Sequence, residues 1–219
     1  MKHNIALVFD FDDTLAPDST SSYLDSLGVD IPHFWTHEIQ MLIDDGWDPI
    51  PAYLYKMIEL SKSGRTITKE SLSAWGPRIE LYQGVETMFD NLREYARSLH
   101  PHLEVEYYLI SSGIGEILRN TTIAHQFKDM WTSDFTYDNN GGIIFPKTLI
   151  SFTDKTRYLF HISKGIIGTA ARGRPFAVNE KIDKRQVRIP FYQMVVIGDG
   201  YTDIPCFALI KKLGGTALG

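Results

Sequence analysis

Five consecutive apolar residues, Ile5 to Phe9, run without a break into three carboxylates within four positions: Asp10, Asp12 and Asp13. A strand that is apolar on both faces fits a parallel sheet covered by helices on both sides. Such a sheet binds ligands beyond the carboxyl ends of its strands, which is where these acids fall. Two unit charges ~4 Å apart repel by roughly 4 kcal/mol at an effective dielectric near 20. A metal ion or a chemical task has to offset that cost.

The rest of the chain alternates strand and helix signals. The spacing of Val85, Met88, Phe89, Leu92, Tyr95, Ala96 and Leu99 predicts an amphipathic helix opened after Gly84. "EVEYYLISSG" reads as a second strand ending at Ser111, "GEILRNTTIAH" as a helix, and "MWTSDF" as a third strand. Asn140-Gly141 marks a hairpin turn within "YDNNGGIIFP". A helix is expected over residues 154–164 and a fourth strand at "FYQMVVIGDG". A further strand is expected after the closing "KKLGGTALG". The expected fold is α/β, a doubly wound, Rossmann-like parallel sheet. Residues 18–80 show no apolar strand run and read as a small helical cap inserted after the first strand. That leaves 1–17 and 81–219 as the core.

Composition narrows the class. With 219 residues, 43% of them hydrophobic, the chain can build one substantial core plus a smaller satellite. A net charge of −5 speaks against general nucleic-acid binding. No apolar run approaches the ~20 residues of a membrane helix. Lys2 and His3 lead straight into the first strand without the marks of an export signal. Cys206 is the single cysteine, which excludes an intrachain disulfide and a cysteine metal cage. The expected compartment is the cytoplasm.

Three strand ends carry groups suited to phosphate chemistry, and together they resemble the haloacid dehalogenase superfamily, specifically its phosphatases of the phosphoserine phosphatase-like branch. "DFDDT" (Asp10 to Thr14) fits the first motif, and "YYLISSG" with Ser111 the second. Lys155 in "TDKTRYL" fits the third, and "GDGYTD" (Gly198 to Asp203) the fourth. The resemblance implies a Mg²⁺-dependent phosphatase that cleaves a small phosphomonoester through an aspartyl-phosphate. Asp10 would be the nucleophile and Asp12 the general acid and base. The cation would be held by Asp10, the main-chain carbonyl of Asp12 and Asp199, with Asp203 nearby. The phosphate-binding set would be Thr14, Ser111, Ser112, Gly113 and Lys155, with Ser112 the alternative to Ser111 in the second motif.

Other features read more plainly. Asp13 reads as a solvated loop acid, "SSGIGEIL" as a tight strand-to-helix turn, and Cys206 as packing. His100 and His102 lack a third metal ligand. Phe34, Trp35, Trp47, Tyr53, Tyr55 and Trp75 are expected to pack the cap's own core. Arg65 and Arg78 are candidates to grip a charged substrate tail. A phosphoserine substrate would need a carboxylate at the cap entrance, and "APDSTSSY" offers Asp18. Segment 172–188 holds six basic residues (Arg172, Arg174, Lys181, Lys184, Arg185, Arg188) against Glu180 and Asp183. A solvated loop is the default there, with an anionic ligand, a protein partner or a second subunit as the alternatives. Among rival functions, Asp12 speaks against a dehalogenase, and the acids on the first strand speak against a phosphoacceptor signalling module. The basic segment is the one feature that suggests a regulatory or partner-binding protein on the same scaffold.

Overall fold

The structure, a computed structural model, describes residues 3–171 and 173–219. Its centre is a six-stranded sheet in the order β4-β3-β2-β1-β5-β6. The strands are β1 (His3–Phe9), β2 (Leu103–Ile114), β3 (Phe127–Tyr137), β4 (Ile143–Thr148), β5 (Met194–Ile197) and β6 (Thr216–Leu218). All neighbours are parallel except β3 and β4, which form an antiparallel hairpin. The sheet is therefore mixed, and the hairpin is the one expected around Asn140-Gly141. The sixth strand lies within the closing residues themselves rather than after them.

The apolar run of β1 serves two faces because successive side chains alternate. Ala6 and Val8 pack with Tyr108, Ile110, Leu159, Ile162 and Ile210 on one side. Phe9 packs with Tyr107, Leu109, Val85 and Phe89 on the other. The helices that supply these layers are α6 (Val85–Leu99), α8 (Asp154–Lys164) and α9 (Ile204–Lys212). The expected long helix after β2 is not formed. A single turn, α7 (Gly115–Leu118), and a 3₁₀ turn at Ala124–Gln126 stand in its place. Gly115 backs onto Thr132 and Asp134 so closely that a Cβ would lie 2.1 Å from Thr132 Oγ1, which fixes the chain against β3 there.

Between β1 and α6 the chain is helical: α1 (Ser19–Ser26), α2 (Ile31–His33), α3 (Gln40–Asp44), α4 (Pro49–Lys62) and α5 (Lys69–Trp75). A π-helical turn, Phe34–Ile39, joins α2 to α3. Phe34, Tyr53, Leu54, Met57 and Leu72 are buried together. Their cluster also takes in Ile114, Ile117, Phe135 and Ile143, so these helices share a core with the end of β2 and the β3–β4 hairpin. Main-chain bonds from Lys69 to Gly141 (2.8 Å) and from Ile143 to Ile67 (3.0 Å) tie the same parts together. Of the expected core aromatics, Trp47 and Tyr55 instead pair with each other at the surface, ring centroids 5.0 Å apart. No helix among the described residues is long and apolar enough to cross a membrane.

Candidate active site

β1 lies between β2 on one side and β5 on the other, so the strand order reverses at β1 and opens a crevice beyond its end. Asp10 sits there, anchored by its N–H on Ile197 O at 2.9 Å. Its Oδ1 accepts the Phe11 N–H at 2.8 Å and its Oδ2 faces Lys155 Nζ at 2.6 Å. Lys155 is the second residue of α8 and is only 1% exposed. Its ammonium also reaches Asp203 Oδ1 at 2.8 Å and Thr202 Oγ1 at 2.9 Å, which uses all three of its protons. Burial alone would lower the Lys155 ammonium, but Asp10 and Asp203 outweigh it and hold the pKa above the ordinary lysine value.

Asp10, Asp199 and Asp203 each bring one carboxylate oxygen within 4.8 Å of the others. They are the one such acidic group among the described residues. Asp199 is exposed and accepts a hydrogen bond from Thr14 Oγ1 at 3.2 Å. Asp203 is buried, and burial plus the Asp10 charge raise its carboxyl above the ordinary range despite Lys155. A cation relieves that repulsion, and three hard oxygen donors of this kind suit Mg²⁺. The donor set therefore fits the ion the resemblance implies. The carboxyl of Asp12 is not part of it.

Asp12 lies on the other side of the same loop. Its Oδ1 accepts the Ser19 N–H at 2.8 Å. Burial, then the charge of Asp18 and, less, of Asp10, push its pKa up to about 7 against the Ser19 hydrogen bonds. A Cβ on Gly113 would stand 2.7 Å from Asp12 Oδ2, so no larger residue fits there without displacing that carboxyl. Gly113 belongs to the stretch Ser111–Gly113, which bulges from β2: the ladder to β3 shifts register between Ile110 and Ile114. Bulges of this kind re-aim side chains beside sites. The strand therefore runs three residues past Ser111, where the sequence had ended it. Ser111 is buried and its Oγ accepts the Gly113 N–H at 3.0 Å. The Ser112 hydroxyl is committed elsewhere, donating to Ile150 O at 2.8 Å.

The remaining candidates fall away from this group. Asp13 is exposed, with φ 57°, a left-handed conformation that Asp tolerates better than most residues. Asp18 caps α1, accepting the N–H groups of Thr20 (2.9 Å) and Ser21 (3.0 Å) and the Ser21 hydroxyl (2.6 Å). Arg65 donates to Leu27 O and Gly28 O, and Arg78 lies over the Trp75 ring at 5.6 Å, so both serve the helical layer. His102 N–H bonds His100 Nδ1 at 3.2 Å. Cys206 is buried in the core. In the basic segment Arg172 lies outside the described residues. Arg188 pairs with Glu106, Arg185 with Asp183 (3.2 Å) and Arg174 with Glu180 (3.7 Å). Sequence reasoning missed Thr202, Ser19 and Tyr53. Thr202 stands inside "GDGYTD" beside Asp203 and could have been noticed, whereas Ser19 and Tyr53 carry no local signal.

Neither of two sizeable clefts holds the carboxylates. One of about 360 Å³ lies at the opposite end of β2 and β3, beside Arg97 and Lys128. The other, about 1300 Å³, follows β3 past Trp131 and Tyr158.

A model of the haloacid dehalogenase-like hydrolases matches residues 7–208. An uncharacterized protein of Borreliella burgdorferi (strain ATCC 35210 / DSM 4680 / CIP 102532 / B31) is 25% identical over 234 aligned residues, covering 95% of this chain and 79% of that protein. A HAD family hydrolase from Salmonella enterica subsp. enterica serovar Typhi superposes with a TM-score of 0.64 at 16% identity, over 93% of this chain. The match spans 59% of the Salmonella chain. A phosphoserine phosphatase in its apo form gives a TM-score of 0.64 at 16% identity, covering 98% of this chain and 86% of that one. At these identities the solved structures speak for the fold.

Proposed function

The chain belongs to the haloacid dehalogenase-like hydrolase family, and from that premise we propose that it is a Mg²⁺-dependent phosphatase cleaving a small phosphomonoester through an aspartyl-phosphate. The observation that carries this is the meeting of Asp10, Lys155, Asp199 and Asp203 at the end of the central strand, with Asp12 alongside at a pKa of about 7. In this reading residues 18–80 form the cap and close the site from above.

An oxygen of Asp10 attacks phosphorus as the ester P–O bond breaks. Asp12 gives its proton to the departing oxygen, for which a carboxyl titrating near neutrality is suited. A water then attacks the aspartyl-phosphate, its proton passing to Asp12, and phosphate and the free Asp10 carboxylate result. Ser111 holds a phosphoryl oxygen, and the Lys155 ammonium, bonded to Asp10, Asp203 and Thr202, offsets repulsion between the phosphate and the acids. Asp10, Asp199 and Asp203, with the Asp12 carbonyl, would hold Mg²⁺, which would supply charge neutralisation for the transferring group. Asp18 is spent as a helix cap, so the entrance offers no free carboxylate from "APDST" for the amine of phosphoserine. Phosphoserine is accordingly not singled out among small phosphomonoesters.

The test is a panel of small phosphate esters assayed with and without Mg²⁺, for the wild type and Asp10→Asn. Hydrolysis is expected to need Mg²⁺ and to fall more than about a thousandfold in the variant. Turnover unaffected by Asp10→Asn would overturn the assignment.

A further inference from the structure

Tyr53, on α4, reaches out of the helical layer and donates its hydroxyl to Ser112 O at 2.6 Å. The tyrosine is 5% exposed, and its bond to Ser112 is partly buried. It lands on the middle of the Ser111–Gly113 bulge. The Ser112 hydroxyl holds the same residue from the core side through Ile150 O, and Ile150 N–H in turn bonds Ser133 Oγ at 3.1 Å. The bulge is thus gripped from two sides at its central residue.

The other end of the contact leads back to Asp12. The Tyr53 ring meets Trp35 edge-on, centroids 5.9 Å apart. Trp35 Nε1–H donates to Ser21 Oγ at 2.7 Å, and Ser21 Oγ donates to Asp18 Oδ2 at 2.6 Å. Asp18 caps α1, and the first residue of α1, Ser19, gives its N–H to Asp12. Gly113 closes the circuit by its close approach to Asp12 Oδ2. Trp35 lies in the π-helical turn, and π turns occur often at functional sites.

We propose that Tyr53, braced by Trp35, is a positioning residue of the reaction: its hydroxyl fixes the phosphoryl-binding bulge Ser111–Gly113 against the proton donor Asp12. The proposal rests on the phosphatase reading. Removing the hydroxyl leaves Ser112 O without its partner from the helical layer and frees the bulge to shift relative to Asp12. A displacement near 1 Å at reacting groups costs up to about a hundredfold in rate.

The experiment compares the wild type, Tyr53→Phe and the control Tyr55→Phe, whose hydroxyl bonds Glu59 at the surface of the same helix. Two readouts are taken. Amide hydrogen exchange, which needs no turnover, is expected to speed up about tenfold for residues 111–114 in Tyr53→Phe, with the helices of residues 18–80 unchanged. With a small alkyl phosphate, whose leaving oxygen needs the Asp12 proton, and Mg²⁺, kcat is expected to fall between about 10- and 100-fold while KM moves less than about threefold. Tyr55→Phe should match the wild type in both. Exchange at 111–114 that stays at the wild-type rate, or that rises equally through α1 and α4, overturns the proposal, and so does an unchanged kcat beside faster local exchange. A wild type inactive on every ester would instead refute the phosphatase reading, and the exchange data would then decide alone whether Tyr53 fixes the bulge.

Discussion

Two acids two positions apart on one loop end up in opposite electrostatic situations. Asp10 is held by an ammonium and a main-chain N–H, whereas Asp12 meets only the hydrogen bonds of Ser19 beside the charges of Asp18 and Asp10. Such divergence is what a nucleophile and a proton donor need. The sign of the pH effect follows directly. The proton on Asp12 is present below about 7 and lost above it, so the step that needs it slows as pH rises through that value. For an alkyl phosphate, whose leaving oxygen must be protonated, kcat/KM is expected to decline above about pH 7. For p-nitrophenyl phosphate the decline should be weaker, and Asp12→Asn should cost about 10²–10⁴-fold more on the alkyl ester than on the aryl one. Equal loss on both esters would remove Asp12 from that role. The type of each acid was legible in "DFDDT". Their different surroundings were not, because Lys155 and Asp18 are brought in from other elements by the fold.

Among the elements, β2 carries the site at one end and an ionic staple at the other. Glu106 accepts from Tyr108 (2.6 Å), Asn4 (3.3 Å), Lys128 and Arg188, tying β1, β2, β3 and the segment before β5 together. Burial alone would raise the Glu106 carboxyl, but Arg188, Lys128 and Tyr108 outweigh it and lower the pKa below the ordinary glutamate value. Stability from this staple is therefore fully present above the unfolded-state pKa and lost as pH falls through the lower folded one. Glu106→Gln should flatten the acid limb of a urea-unfolding curve measured against pH and cost about 1 kcal/mol at neutral pH, since the two cations that lose the carboxylate are partly exposed. An unchanged pH dependence would show the staple to be inert. The staple gives Arg188 a task that its place in a basic run did not suggest. The elements themselves were readable where one period dominated, as in α6 and α8. The stretch after β2 was misread as a long helix because the close seat of Gly115 against Thr132 and Asp134 is a tertiary constraint with no local signal.

At the scale of the molecule, the parallel order and the helical region after β1 could be read from alternating strand and helix signals, as could the convergence of distant motifs beyond the strand ends. The sequence could not show that the helical layer shares its core with the β3–β4 hairpin, or that a tyrosine from that layer reaches the bulge of β2. Both depend on packing between segments far apart in the chain. In the proposed reaction the sheet gathers these groups so that one carboxylate, Asp10, carries the phosphoryl group between two half-reactions. The most direct measurement is acid quenching of the wild type during turnover of a radiolabelled phosphate ester with Mg²⁺, followed by peptide mapping of the retained label. Label is expected on the peptide that holds Asp10, labile to hydroxylamine as an acyl phosphate is, and absent from Asp10→Asn. Turnover with no label on that peptide, or with acid-stable label on a serine, would contradict it.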